Sequence, residues 1–110
     1  MSNRNIWIHY ARPRPHWYRL NDAEKAKKAA VWAEAEELSK AQGAVCVGRY
    51  HIRGQHDFQS VQVWQFTSPE AAFDHWDRLT SVGYNEWNAF TNNIGMELNL
   101  PIGQNVESAV

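Results

Sequence analysis

The sequence predicts a ferredoxin-like α+β sandwich with elements in the order β-α-β-β-α-β. Three observations carry this. Alternating aromatic and β-branched runs mark four strands, two long segments place apolar residues at helical spacing, and turn residues fall at the joins. Asn5 to Ala11 alternates and is rich in Ile, Trp and Tyr, which reads as the first strand. Ala11-Arg12-Pro13-Arg14-Pro15-His16 follows as an extended loop, because each proline disfavours helix at the residue before it. Asn21 with Glu24 makes a capping-box pattern, Gly43 suits the helix end, and Val31, Ala35 and Leu38 recur between them. Ala44 to Arg53 and Phe58 to Phe66 read as a hairpin around Gly54-Gln55-His56-Asp57. Pro69 suits the first position of a second helix, whose stripe is Ala72, Phe73, Trp76 and Leu79, and Gly83 closes it. Tyr84 to Asn92 reads as a short further helix. Gly95 to Leu100 reads as the fourth strand, with Met96, Leu98 and Leu100 turned towards the helices. Residues 103–110 read as a loose tail.

The chain has 110 residues, enough for one domain over 1–110 and too few for two cores. Its one Cys cannot close an internal disulfide, which suggests a reducing, cytoplasmic setting. No apolar run approaches the ~18 residues of a membrane span, and the first ten residues lack the apolar stretch of a signal peptide. A net charge of −1 argues against a nucleic-acid partner, because such affinity rests on phosphate contacts. The composition is unusual in one respect: it holds six Trp, at positions 7, 17, 32, 64, 76 and 87.

Strand alternation has period two, so register decides which side chains share a sheet face. A symmetric hairpin pairs Arg49 with Gln62, His51 with Ser60, Val47 with Trp64 and Val45 with Phe66. With Ile6, Ile8, Val61 and Val63 under the helices, the opposite face carries Trp7, His9, Arg49, His51, Gln62, Trp64, Glu97 and Asn99. Cys46 falls under a helix as an inert thiol. Two Trp on an uncovered face call for a cover, and a second copy of the sheet is the simplest one. The expectation is a homodimer with an aromatic, partly polar cavity between the sheets.

The stretch Val63-Trp64-Gln65-Phe66-Thr67-Ser68-Pro69-Glu70-Ala71-Ala72-Phe73-Asp74-His75-Trp76 resembles one shared by antibiotic-biosynthesis-monooxygenase-like proteins of the dimeric α+β barrel superfamily. His75 falls where those members often carry a helix histidine. Pro15-His16-Trp17-Tyr18-Arg19-Leu20 and Gly83-Tyr84-Asn85-Glu86-Trp87 resemble darcynin-like members without known function. The resemblance implies a dimer whose cavity takes aromatic or polyketide-like small molecules, often without a cofactor.

No phosphate loop and no metal motif is present. His9 and His51 are the acid–base candidates, because imidazole exchanges protons near neutral pH. Arg49 and Gln62 would steady a developing oxyanion, Trp7 and Trp64 would stack on a flat substrate, and Glu97 would complete the pocket. Each also has a plainer structural role open to it, as an interface histidine, an ion pair or dimer core. The expected protein is a small-molecule enzyme using no cofactor and no metal, for cyclisation, isomerisation, dehydration or monooxygenation. One alternative is a haem-binding or haem-degrading protein with His75 or His9 as axial ligand. Another is a non-catalytic ligand-binding or assembly module.

Overall fold

The computed structural model describes residues 4–54, 57–98, 100, 101 and 103. Strand β1 (Asn5–Pro13) leads through a 3-10 turn (Pro15–Arg19) into helix α1 (Asp22–Ala41). Strands β2 (Val45–His51) and β3 (Ser60–Phe66) form the hairpin, followed by α2 (Pro69–Ser81), the single turn α3 (Tyr84–Trp87) and β4 (Asn88–Met96). The strands lie in the order β2-β3-β1-β4, and every neighbouring pair is antiparallel. This is the four-stranded ferredoxin-like α+β fold that the sequence predicts.

Local chemistry fixes the helices. Asn21 and Glu24 exchange side-chain-to-backbone bonds at the head of α1, as the capping box requires. Ser68 accepts from the Ala71 amide, and Pro69 starts α2. Gly83, at φ 81°, supplies the left-handed turn between α2 and α3. The buried helix stripes are rotated from the expected ones. Ala35 and Ser39 are buried on α1 while Val31 and Leu38 are exposed; Ala72, His75 and Leu79 are buried on α2 while Phe73 is exposed.

The fourth strand differs from its prediction in position. Only one helical turn forms after Gly83, and Asn88 to Met96 then pairs along the whole of β1, from Pro13↔Asn88 to Asn5↔Met96. Asparagine-rich sequence is a weak helix former, so a continuous ladder outcompetes a short helix here. Arg12 and Pro13 accordingly belong to β1 rather than to a loop. Leu98 and Leu100 lie beyond the strand, and Leu98 is exposed. Asn99, His56 and most of the expected tail lie outside the described residues.

The sheet also faces the other way. Trp7, His9 and Ala11 of β1 pair with Trp64, Gln62 and Ser60 of β3, and this set lies under the helices. Ile6, Ile8 and Tyr10 pair with Gln65, Val63 and Val61 on the open face. A bulge between Cys46 and Gly48 shifts β2, so Cys46 rather than Val47 pairs with Trp64, and Val45 pairs with Gln65 rather than Phe66. Packing explains the inversion. The helices offer small residues at their contacts, Ala35, Ser39 and Ala72, and only wide rings reach across to fill the layer. Trp7 and Trp64 are 1% and 0% exposed.

Candidate functional site

Three neighbouring features of the helix-facing side bring polar and titratable groups together. The first is an open cleft of about 420 Å³ where β1 and β2 end and β3 begins. Arg12, Arg49, His51, Ser60, Tyr84 and Asn88 are among its lining residues. Its volume falls within the range of small-molecule pockets. The cations are held in place. Arg49 is paired with Glu36 of α1, donates to Gln62 Oε1 at 3.3 Å and lies over the Trp64 ring at 5.8 Å. Trp64 Nε1 donates to the same Gln62 oxygen at 3.0 Å. Arg12 Nε lies 3.3 Å from Asp57, in ion-pair range but outside hydrogen-bond geometry.

The second feature is a buried hydrogen-bonded chain. His9 Nδ1 is 2.6 Å from Asn92 Oδ1, and His9 Nε2 is 2.8 Å from the Tyr84 hydroxyl. An amide oxygen only accepts, so Nδ1 carries the proton and Tyr84 donates to Nε2. Burial pushes the His9 pKa down to about 4, partly offset by the Asn92 bond, so the ring is neutral at pH 7. Burial, with Glu36 nearby, pushes the Tyr84 phenol above its ordinary value.

The third feature is His75 on α2, fully buried between sheet and helix. Its ring lies 4.6 Å from Trp64, 5.0 Å from Trp7 and 5.5 Å from Phe66. Its Nδ1 is 2.6 Å from Ser39 Oγ, which also accepts from Arg78 at 2.9 Å. Its Nε2 is buried and has no partner among the described residues. Burial, then the charge of Arg78, pushes its pKa down to about 4. His75 Nδ1 and the Ser39 hydroxyl share one proton between them; in the tautomer whose Nδ1–H donates to Ser39 the Nε2 lone pair is free, and the neutral imidazole is then fixed through one nitrogen and open at the other, as in metal-ligating histidines.

These positions rearrange the residues singled out from sequence. Trp7, His9, Arg49, His51, Gln62 and Trp64 do share one face, but it is the helix side and not an open sheet surface. Trp7 and Trp64 are core, and His9 is core with both nitrogens bonded. His51 and Arg49 reach the cleft. Glu97 leaves the group. It follows β4 at the far end of the sheet, where it is paired with Arg4 at 3.5 Å. His75, expected across the sheet from His9 and His51, is on their side, yet among the described residues no three potential metal ligands converge. Sequence reading missed Tyr84, Asn92 and Ser39 as partners, because their roles depend on where β4 and α1 settle.

No protein-family model matches the sequence, and no curated protein matches it. Solved structures do. A point variant of chlorite dismutase from Candidatus Nitrospira defluvii superposes with a TM-score of 0.74 at 15% identity, over 89% of this chain and 42% of that one. The same enzyme in complex with imidazole gives 0.72 at 16% identity over the same shares. A variant in complex with cyanide gives 0.66 at 10%, over 91% of this chain and 42% of that one. The chain thus spans about two fifths of the length of these structures, and at such identity the likeness is one of fold. They do not single out the monooxygenase-like or darcynin-like group within it. They also correct the expectation of a protein without a cofactor: chlorite dismutase neighbours point to haem, named above only as the alternative. Among the described residues, no helix is long and apolar enough to cross a membrane.

Proposed function

We propose that this protein binds haem, which the imidazole of His75 would hold. The observation that carries the reading is the buried, unpartnered His75 Nε2, opposite a nitrogen fixed by Ser39. An unsatisfied buried polar atom costs about 1–3 kcal/mol, so its persistence asks for a partner. His9, the other candidate ligand, has no free nitrogen. Imidazole and cyanide, named with the chlorite dismutase structures, are both good ligands of haem iron, which fits the same reading.

The donor chemistry fits haem, and the surrounding rings give it apolar walls. Arg49, over the Trp64 ring, adds a cation for an acidic edge. The rings close tightly on His75, so binding requires the α2 side of the layer to open. Bound haem would supply one-electron chemistry at iron. This chain's residues would exclude water and hold the imidazole neutral and oriented. His51 and Arg49, which line the cleft, are left as the polar groups for a second ligand there, with Gln62 bonded to Arg49 behind them.

Titration with haemin tests this. A Soret shift with quenching of Trp emission is expected for the wild type, lost in His75→Ala and retained in His51→Ala. No shift in the wild type, or an unchanged one in His75→Ala, overturns the assignment. We also propose a homodimer paired through the open sheet face. The support is its aliphatic surface of Ile6, Ile8, Val61 and Val63, with exposed Val45 alongside, rather than the two Trp expected there.

A further inference from the structure

A groove of about 560 Å³ lies outside the site described above, where the end of the 3-10 turn, the first half of α1 and the α2–α3 junction meet. Leu20, Val31, Val82 and Trp87 give it an apolar wall, and Lys27 and Lys28 stand on the α1 side. It shares no lining residue with the cleft at Arg49 and His51, and its volume is that of a small-molecule pocket. Fixed contacts shape it. The Arg14 amide donates to the Trp87 carbonyl at 2.8 Å and Arg14 Nε to the Asn85 carbonyl at 3.0 Å, which ties α3 to the start of the 3-10 turn. Trp32, packed against the core, donates its indole N–H to the Val82 carbonyl at 3.2 Å. Trp17 bridges the two sides, 5.5 Å from Trp32 and 6.1 Å from Trp87. The groove is therefore pre-formed, and a ligand need not order it.

Its chemistry is divided. Val31 and Val82 are each 39% exposed, so the wall keeps apolar surface in water that a ligand would cover. The other side is basic. From Arg14 to Lys28 the chain carries Arg14, Arg19, Lys25, Lys27 and Lys28 against only Asp22 and Glu24. Glu24 also lines the groove, but its carboxylate is engaged at the head of α1, accepting from the Asn21 amide. Lys27 and Lys28 belong to no ion pair among the described residues. Lys28 lies over the Trp87 ring at 4.7 Å, which holds its ammonium beside the apolar wall. A cation next to low-dielectric surface attracts an anion more strongly than one in open water does.

We propose that this groove binds a small apolar monocarboxylate, its hydrocarbon body against Leu20, Val31, Val82 and Trp87 and its carboxylate on Lys27 and Lys28. Both halves of the ligand are needed. A bare anion leaves the apolar wall in water, and a neutral apolar molecule leaves the two ammonium groups without a counter-charge. Glu24 at the rim opposes a second negative charge, so one acid group suits the groove better than two. The site stands apart from haem binding, because none of the groove residues belongs to the aromatic layer around His75.

Octanoate, octanol and acetate separate the two halves. Octanoate titrated into the protein without haem should saturate with a Kd on the order of 1 mM or tighter, the scale that about ten heavy atoms allow. It should also move the Trp87 indole N–H resonance, which is identified by its loss in Trp87→Phe. Octanol and acetate should each bind about tenfold more weakly or worse, one lacking the charge and the other the body. Lys27→Gln combined with Lys28→Gln should weaken octanoate about tenfold without moving the unfolding midpoint, since both side chains are at the surface. Val31→Asp should weaken it from the apolar side, and folded His75→Ala should bind it as the wild type does. Three results overturn the proposal: no saturable binding of octanoate, equal binding of octanol, or an affinity that the lysine and Val31 substitutions leave unchanged. Loss of octanoate binding in folded His75→Ala would place the ligand in the aromatic layer and overturn it as well.

Discussion

The two faces of the sheet are made of different chemistry. The helix side carries Trp7, His9, Gln62, Trp64 and the neighbouring His75, a layer of rings tied together by hydrogen bonds. The open side carries Ile6, Ile8, Val61 and Val63, none of which belongs to the buried core cluster. The ordinary arrangement would put aliphatic residues inward and polar aromatics outward. The reversal shows that the buried layer is built around directed contacts, and it leaves the aliphatic side partly exposed.

The helix side should therefore be the more fragile one. Trp64→Ala should cost about 3–5 kcal/mol in denaturant unfolding, the range for truncating a buried aromatic. A loss below ~1 kcal/mol would break the contrast. Acid should act on the same layer. His9 and His75 titrate near 4 when folded and near 6.5 when unfolded. Between those values the unfolded chain binds more protons, so stability falls as pH falls from about 6.5 to about 4. The upper limit is about 3 kcal/mol per histidine. Unfolding measured at pH 7, 5.5 and 4 checks it, and a flat profile would sink the claim that both rings are buried and neutral.

The element order and capping were readable in the sequence because they are local. Asn21 with Glu24, Pro69 and Gly83 each act within a few residues. Strand period was readable too, and it correctly grouped Trp7, His9, Arg49, His51, Gln62 and Trp64. Which side of the sheet that group faces was not, since alternation is symmetric and hydrophobicity favoured Ile and Val for the interior. The deciding fact is the smallness of Ala35, Ser39 and Ala72, which matters only once the helices are docked. Tyr84 and Asn92 were hidden by the misplacement of β4. Glu97 moved out of the site for the same reason, and the bulge at Cys46 and Gly48 depends on pairing that no local pattern specifies.

The two buried histidines sharpen the comparison within the layer. His9→Phe leaves Asn92 and Tyr84 without their partner and should cost about 2–4 kcal/mol. His75→Phe removes an unpartnered nitrogen together with one bond to Ser39, so its cost should stay near ~1 kcal/mol or below. Equal losses in thermal or denaturant unfolding would mean that His75 is structural and not a free ligand.

The smallest effect is expected on the open face, and there the reading depends on concentration. Val63→Ala on a face open to water should change stability by no more than ~0.5 kcal/mol. Under a second sheet the same truncation empties a packed position and should cost about 1–2 kcal/mol per protomer. Pairing also makes unfolding depend on protein concentration, which a monomer's does not. Unfolding of wild type and Val63→Ala at low and high micromolar concentration separates the cases. If they differ little and neither shifts with concentration, the aliphatic face stands alone. A gap that opens as concentration rises identifies the surface it was built to meet as a second copy of itself, and sedimentation of Val63→Lys, expected to run as monomer, checks that directly.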